Sequence, residues 1–275
     1  MPIEQLTATD LAKKLVVILQ SWPLYRILEY TGADEVVAVP KFLSLYCEPC
    51  QKDTFWETQV ESHITYKKGF TAKEYTCRNC GAAAIRYYFY WNTGKETSSF
   101  FKVGQYPELE ERVSKKLEGG LKTEDLKMYK TALRLRNFNL GIAAVAYMRR
   151  IVEDRMNDML EILYKAAVTH NAPAEILARH EDIKNDKRFS VKVDYAGDLL
   201  PSNLRPAGQP NPIAILHELA SEALHSKTDE QCIDIFDECR NTFEYVFGKM
   251  RIETEAAKEF VKEMARLAMK RAKSD

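Results

Sequence analysis

The chain carries no surplus of either charge. Its 40 acidic and 40 basic residues balance, so no global basic field draws it to nucleic acid or to an anionic membrane, and only local patches are left to do so. No apolar run approaches the roughly 20 residues that a membrane span needs. The first residues show no charged stretch followed by an apolar core, so no secretory signal is read and a cytoplasmic protein without membrane contact is expected. There is no internal repeat and no low-complexity tract, which sets aside repeat architectures. Cysteine is scarce, with six in 275 residues, and four of the six stand in metal-ligand spacing. That usage fits a reducing compartment better than a secreted disulfide scaffold.

What is present reads as an ordinary globular chain, 45% hydrophobic and 29% charged. Its length suits one large domain or two modest ones. Two Cys-x-x-Cys knuckles, Cys47-Glu48-Pro49-Cys50 and Cys77-Arg78-Asn79-Cys80, stand in the first third. Four thiolates close a tetrahedral site around one zinc ion, and a site with four protein ligands has no open position, so the expected Zn²⁺ is structural. Gly81 follows Cys80 at once and lets the backbone turn its N–H groups towards the sulfurs. A redox pair fits less well, because thioredoxin-type motifs belong to βαβ patterns. Cys232 and Cys239 lie seven apart on an expected helix, about 10 Å along its axis, too far to bond each other.

Leu11, Leu15, Val16 and Leu19 place a short amphipathic helix over Thr9–Trp22. Strands are expected at Lys41–Tyr46, Ile64–Tyr66, Glu74–Thr76, Ile85–Trp91 and Ser98–Val103, with a turn at Asn92-Thr93-Gly94. After Pro107 strand signals nearly vanish. Helices are expected over Thr123–Arg136, Asn139–Val168, Pro173–Ile183 and Phe189–Leu200. Beyond the proline-rich loop Pro201–Pro212, three more follow over Pro212–His225, Thr228–Phe247 and Thr254–Lys273. The expected architecture is therefore α+β: an N-terminal helical segment (1–40), a small antiparallel zinc-ribbon lobe (41–107), and a mainly α-helical bundle (108–275).

Three polar groups stand out from this pattern. Arg149/Glu153 and Arg150/Asp154 are each four apart on the long helix, so each pair meets on one face. They read as a salt-bridge clamp between helices, or as an anion pocket with the arginines as phosphate forks. His217, Ser221 and His225 recur every fourth residue on a later helix, with Glu222 three before His225. They read as a helix-capping histidine, or as a general base held by a carboxylate. The strand Tyr87-Tyr88-Phe89-Tyr90-Trp91 lies near Lys67, Lys68, Lys73, Arg78 and Arg86. Its aromatics either pack inward or stack on unpaired bases while the cations hold the backbone. Tyr88, Tyr90, Lys67, Lys68 and Arg86 form the candidate nucleic-acid face.

Gly141 with Arg149-Arg150-x-x-Glu153, the Phe189–Pro201 segment, the Leu216–His225 helix and the joining stretch Lys102-Val103-Gly104-Gln105-Tyr106-Pro107 together resemble a HEPN-type helical domain. The resemblance covers roughly residues 100–265 and points to the branch of unknown function found near bacterial restriction and phage-defence genes. It implies a homodimer, with nucleic acid or a protein of a defence complex as partner. Active HEPN ribonucleases share an Arg-x(4–6)-His motif that works without metal. Here the positions before His225 hold Glu218, Leu219 and Ala220, and Asn211 precedes His217, so no arginine completes the motif. The expectation is a zinc-binding sensing or adaptor protein in antiphage defence or nucleic-acid-linked regulation. The alternative is a ribonuclease or nucleotide-modifying enzyme built on His225, Glu222 and Arg149, with Arg150, Glu153, His217 and Ser221 lining its pocket.

Overall fold

A computed structural model describes residues 3–32, 37–59, 63–64, 68–94, 96–108, 113–169, 172–200 and 210–249. The chain divides into two compact units, Met1–Glu111 with Asn137–Asn139, and Arg112–Arg136 with Leu140–Asp275. Positions 201–209 of the expected loop Pro201–Pro212, positions 65–66 of the expected strand Ile64–Tyr66 and the expected last helix lie outside the described residues, as does Lys67.

The first unit overturns the expected small ribbon lobe. Its main sheet has seven strands, built from β1 (Glu4–Gln5), β2 (Leu28–Thr31), β4 (Phe42–Cys47), β5 (Lys52–Glu57), β7 (Lys68–Cys77), β8 (Ala84–Asn92) and β9 (Ser98–Tyr106). They run in the order β1-β2-β9-β8-β7-β5-β4 and curl into a half-barrel. The sheet is mixed: β1 pairs parallel with β2, and the other pairs are antiparallel. Two short strands, β3 (Val37–Ala38) and β6 (His63–Ile64), pair separately.

The helix α1 (Ala8–Ser21) belongs to this unit rather than to a separate segment. Thr7 opens it with a capping box that Asp10 completes. Leu11, Leu15, Ile18 and Leu19 of α1 join Leu28, Tyr30, Leu43, Trp56, Tyr75, Tyr87, Phe89, Trp91 and Phe100 in one buried cluster. This is the second correction to the ribbon picture. A small ribbon lobe has little core of its own, whereas these strands share a large one. The sequence signal was present in the apolar face of α1, but that face does not say which strands it will cover, and β4 and β9, against which α1 packs, lie far along the chain.

The second unit is helical. It comprises α2 (Lys115–Gly120), α3 (Thr123–Asn137), α4 (Gly141–Thr169), α5 (Ala174–Ala178), α6 (His180–Asn185), α7 (Phe189–Leu199), α8 (Pro212–Ser226), α9 (Asp229–Glu244) and a π-helical turn, Tyr245–Lys249. The stripe Ala144, Val145, Met148, Ile151, Val152, Met156, Met159 and Leu163 of α4 is buried as its periodicity demands. Asn211 caps α8 through the Ile213 N–H at 3.0 Å, and Thr228 with Gln231 forms the capping box of α9. Gly141 is needed where α4 starts: a Cβ there would stand 2.1 Å from the Asp229 carbonyl oxygen. The Asp229 side chain accepts a hydrogen bond from the Ile142 N–H through Oδ1 at 2.9 Å, so the first turn of α9 also caps the start of α4.

Candidate metal centre and aromatic sheet face

Two tight turns bring the four knuckle cysteines together. Cys47 ends β4 and Cys50 lies in the turn before β5; Cys77 ends β7 and Cys80 lies in the turn before β8. Both turns use a residue with positive φ, Gln51 at 53° and Gly81 at 67°. The Gln51 N–H closes the first on the Glu48 carbonyl, and the Gly81 N–H closes the second on the Cys77 carbonyl at 2.9 Å. The residue after the second knuckle thus carries the glycine that its backbone conformation favours.

The four Sγ atoms all lie within 4.8 Å of one another. Cys47 and Cys80 are 3.7 Å apart and Cys50 and Cys77 are 3.9 Å apart. Four sulfurs at ~2.3 Å around a tetrahedral ion stand ~3.8 Å apart, so the spacing fits a metal ion at the centre. The thiols are free of disulfides. Donors surround them: Asn79 Nδ2 donates to Cys50 Sγ at 3.1 Å, and Thr54 Oγ1 lies 3.2 Å from Cys77 Sγ. Backbone N–H groups of Cys80 and Asn79 serve Cys77, and those of Ala83 and Ala82 serve Cys80.

These donors shape the protonation of the sulfurs. Burial pushes the Cys77 thiol up, but Thr54 and the two N–H groups outweigh it and bring it down to about 6. Cys80, held by its own N–H donors, is lowered as well. Burial and the neighbouring sulfurs push Cys47 up to about 12. A dication bound between them would take all four as thiolates.

The second feature is the outer face of the sheet. Along β8 the side chains alternate: Tyr87, Phe89 and Trp91 are buried, whereas Tyr88 and Arg86 are exposed and Tyr90 is half-buried. The inward-packing reading of this aromatic strand holds for Tyr87, Phe89 and Trp91, and the other face is left open. The register places Phe70 opposite Tyr90 and Tyr90 opposite Phe101. Their rings form a row across three strands, with centroids 4.9 and 5.3 Å apart. Tyr88 lies against Gly104 one step along. Through β5 and β4 the same face continues to Phe55 and Phe42, both exposed. Phe70 is 72% exposed and Tyr106 75%.

The cations of this face are fewer than expected. Lys68 stands exposed at the start of β7. Arg86 is engaged by Glu74 at 2.5 Å, and Arg78 reaches Glu57 at 3.3 Å. Lys73 points inward, 6% exposed, so it takes no part. Phe42, Phe55, Phe70, Phe101 and Tyr106 were missed in the sequence. The signal that would find Phe70 is the alternation of β7, whose length extends well beyond Glu74–Thr76.

In the helical unit the polar residues separate into two groups. Arg149 Nε donates to Glu153 at 2.7 Å and its Nη1 reaches Ser221 Oγ at 3.3 Å. His217 Nε2 lies 3.9 Å from Glu153 and its ring packs on Phe189 with centroids 4.4 Å apart. Burial first, and Arg149 second, lower the His217 pKa. Arg150 instead forms an exposed pair with Asp154 at 3.6 Å. Glu222 pairs with Lys227 at 2.7 Å, and His225 is exposed in the last turn of α8. The structure therefore brings Arg149, Glu153, His217 and Ser221 together and leaves Arg150, Glu222 and His225 outside that group. No described helix is long and apolar enough to cross a membrane. Compared with known proteins, the chain matches no family model, no curated protein and no solved structure, so nothing in those comparisons identifies a HEPN-like domain.

Proposed function

We propose that the protein is a zinc-binding, non-enzymatic binding protein whose outer sheet face takes unpaired nucleic acid. The observation that carries this is the row Phe70–Tyr90–Phe101, left accessible on a sheet whose other face already has its core. Aromatic rings stack on bases of any identity, each contact being worth about 1–3 kcal/mol. Zinc is the ion that four thiolates at tetrahedral spacing favour, and a four-sulfur shell leaves no position for substrate. The ion would hold the ends of β4, β5 and β7 in register beside Phe42 and Phe55. The helical unit would then serve as the adaptor, the role that the HEPN-like resemblance implies in bacterial defence. Binding is favoured over catalysis because Glu222 and His225 lie apart from Arg149.

With few free cations on the face, stacking would supply most of the affinity and salt would weaken it only slightly. The test is fluorescence anisotropy of labelled oligo(dT) and oligo(U) with the zinc-loaded full chain. Binding is expected, weakened roughly tenfold by Tyr90→Ala and unaffected by Arg150→Ala. If neither oligonucleotide binds, or the double variant Phe70→Ala/Tyr90→Ala binds as well as the parent, the face serves something other than nucleic acid.

A further inference from the structure

The helical unit contains a second constellation of metal-ligating side chains, unrelated to the cysteines. Glu161 of α4 and His180 and Glu181 of α6 offer ligand atoms that all lie within 4.8 Å of one another. His180 Nε2 stands 3.2 Å from Glu161 Oε1. Around an ion bound at ~2.1 Å by nitrogen and oxygen, adjacent donors stand about 3–3.5 Å apart, so this pair already has the required spacing. Glu181 is exposed and can adjust its carboxylate by the remaining ångström.

Three features distinguish this group from an ordinary surface cluster. His180 is only 4% exposed, an unusual place for an imidazole whose polar partners are so few. Its ring is clamped between aromatics, stacked on Tyr164 at 4.0 Å with Tyr195 at 5.9 Å. Its Nδ1 is buried with no hydrogen-bond partner. The one polar outlet of this fixed ring is therefore Nε2, directed at the carboxylate cluster. Lys184 adds to these three, its ammonium bonded to the same Glu161 oxygen. The field of the cluster already attracts a cation, and here a half-exposed lysine one turn along α6 supplies it.

We propose that Glu161, His180 and Glu181 form a site for a divalent transition-metal cation, with Lys184 as the built-in competitor that swings out when the metal enters. Imidazole with two carboxylates suits zinc, cobalt or manganese. Three protein ligands leave a position open to water or to a ligand, unlike the closed four-sulfur site.

The test uses the full chain carrying one equivalent of Zn²⁺ on its thiolates, titrated with Co²⁺ by isothermal calorimetry and by visible absorption. One further equivalent is expected, without the sulfur-to-cobalt charge-transfer band that occupancy of the thiolate site would give. Glu161→Gln and His180→Ala should each weaken it at least about tenfold. Lys184→Met should tighten it, by about tenfold, because a neighbouring positive charge is gone; this substitution lies at a half-exposed position and leaves the core intact. No uptake by either the parent or Lys184→Met would overturn the proposal, and so would uptake that Glu161→Gln leaves unchanged.

Discussion

The sheet unit and the helical unit hide their apolar residues in different ways. A strand turns successive side chains to opposite faces, so a run such as Tyr87 to Trp91 must show half its rings to whatever lies outside. A helix can gather its apolar residues in one stripe, and α4 buries its stripe almost completely. The result is that the sheet unit has a filled inner face and an aromatic outer one, whereas exposed Leu140, Ile142, Tyr147 and Val168 of the helical unit form no aromatic row. Among the described residues, exposed aromatic surface is thus concentrated on the sheet. The units differ again in how they are fastened. The sheet unit joins a core to a four-sulfur centre at one end. The helical unit depends on close packing and on partly buried ion pairs, such as Arg136 with Asp237 and Arg155 with Asp125.

That difference is open to direct attack. The largest effect should come from Cys77→Ser. On the proposed zinc centre, losing one thiolate would remove the metal, and metal affinity is folding free energy for the segments it holds. The sheet unit should lose more than about 5 kcal/mol, seen as loss of zinc in metal analysis and of near-ultraviolet circular dichroism from its aromatics. The helical far-ultraviolet signal should persist. Equal loss of both signals would mean that the two units do not melt separately. The matching blow to the helical unit is Phe243→Ala. Phe243 is fully buried, stacked on Tyr129 at 4.9 Å and touching Phe247 at 4.6 Å. Its removal should cost about 3–5 kcal/mol in urea unfolding, with the zinc content unchanged. Zinc loss in this variant would tie the metal to the wrong unit. A smaller effect is expected from Gly141→Ala. The new methyl would collide with the Asp229 backbone and cost about 1–3 kcal/mol through overpacking, where an ordinary helical glycine would gain stability from alanine.

How legible all this was in the sequence depended on the kind of signal. The four-cysteine cluster was plain, because its spacing is local and its donors are chemically rare. The long helices were plain too, since a stripe repeated over many turns, with caps at Asn211 and Thr228, points one way. The sheet was underestimated for a physical reason. The strand β2 is four residues long and β1 only two, and their register is set by pairing with β9 and with each other, not by any pattern of their own. The N-terminal helix looked independent because nothing local announces which sheet it will cover. Among the polar residues, spacing along α4 and α8 correctly joined Arg149 to Glu153. It could not foresee that His217, rather than His225, turns towards them, because that depends on how α8 packs on α4. The group at Glu161, His180 and Glu181 was not seen at all, since its members come from two helices and lone histidines carry no spacing signal.

The smallest prediction concerns His217, and it sharpens the contrast from the helical side. Burial and the Arg149 guanidinium hold its pKa below the usual 6.5, against the pull of Glu153 and Glu218. Its neutral form is therefore the one the folded state prefers. The unfolded chain takes up a proton first as the pH falls, so stability is complete above about 6.5 and declines as the pH drops below it. Urea unfolding of the parent and of His217→Gln between pH 8 and pH 5 should show the parent losing ground to the variant over that range. A parent that gains instead would mean that Glu153 outweighs burial and that the cluster favours the imidazolium. Glu153→Gln separates the two cases. Without that carboxylate the imidazolium loses its nearest partner, at 3.9 Å, so the pH dependence of the parent should steepen. The sheet unit, whose thiolates, if they hold the proposed zinc, would protonate only under acid conditions that also release the metal, should show no corresponding change between pH 8 and pH 6.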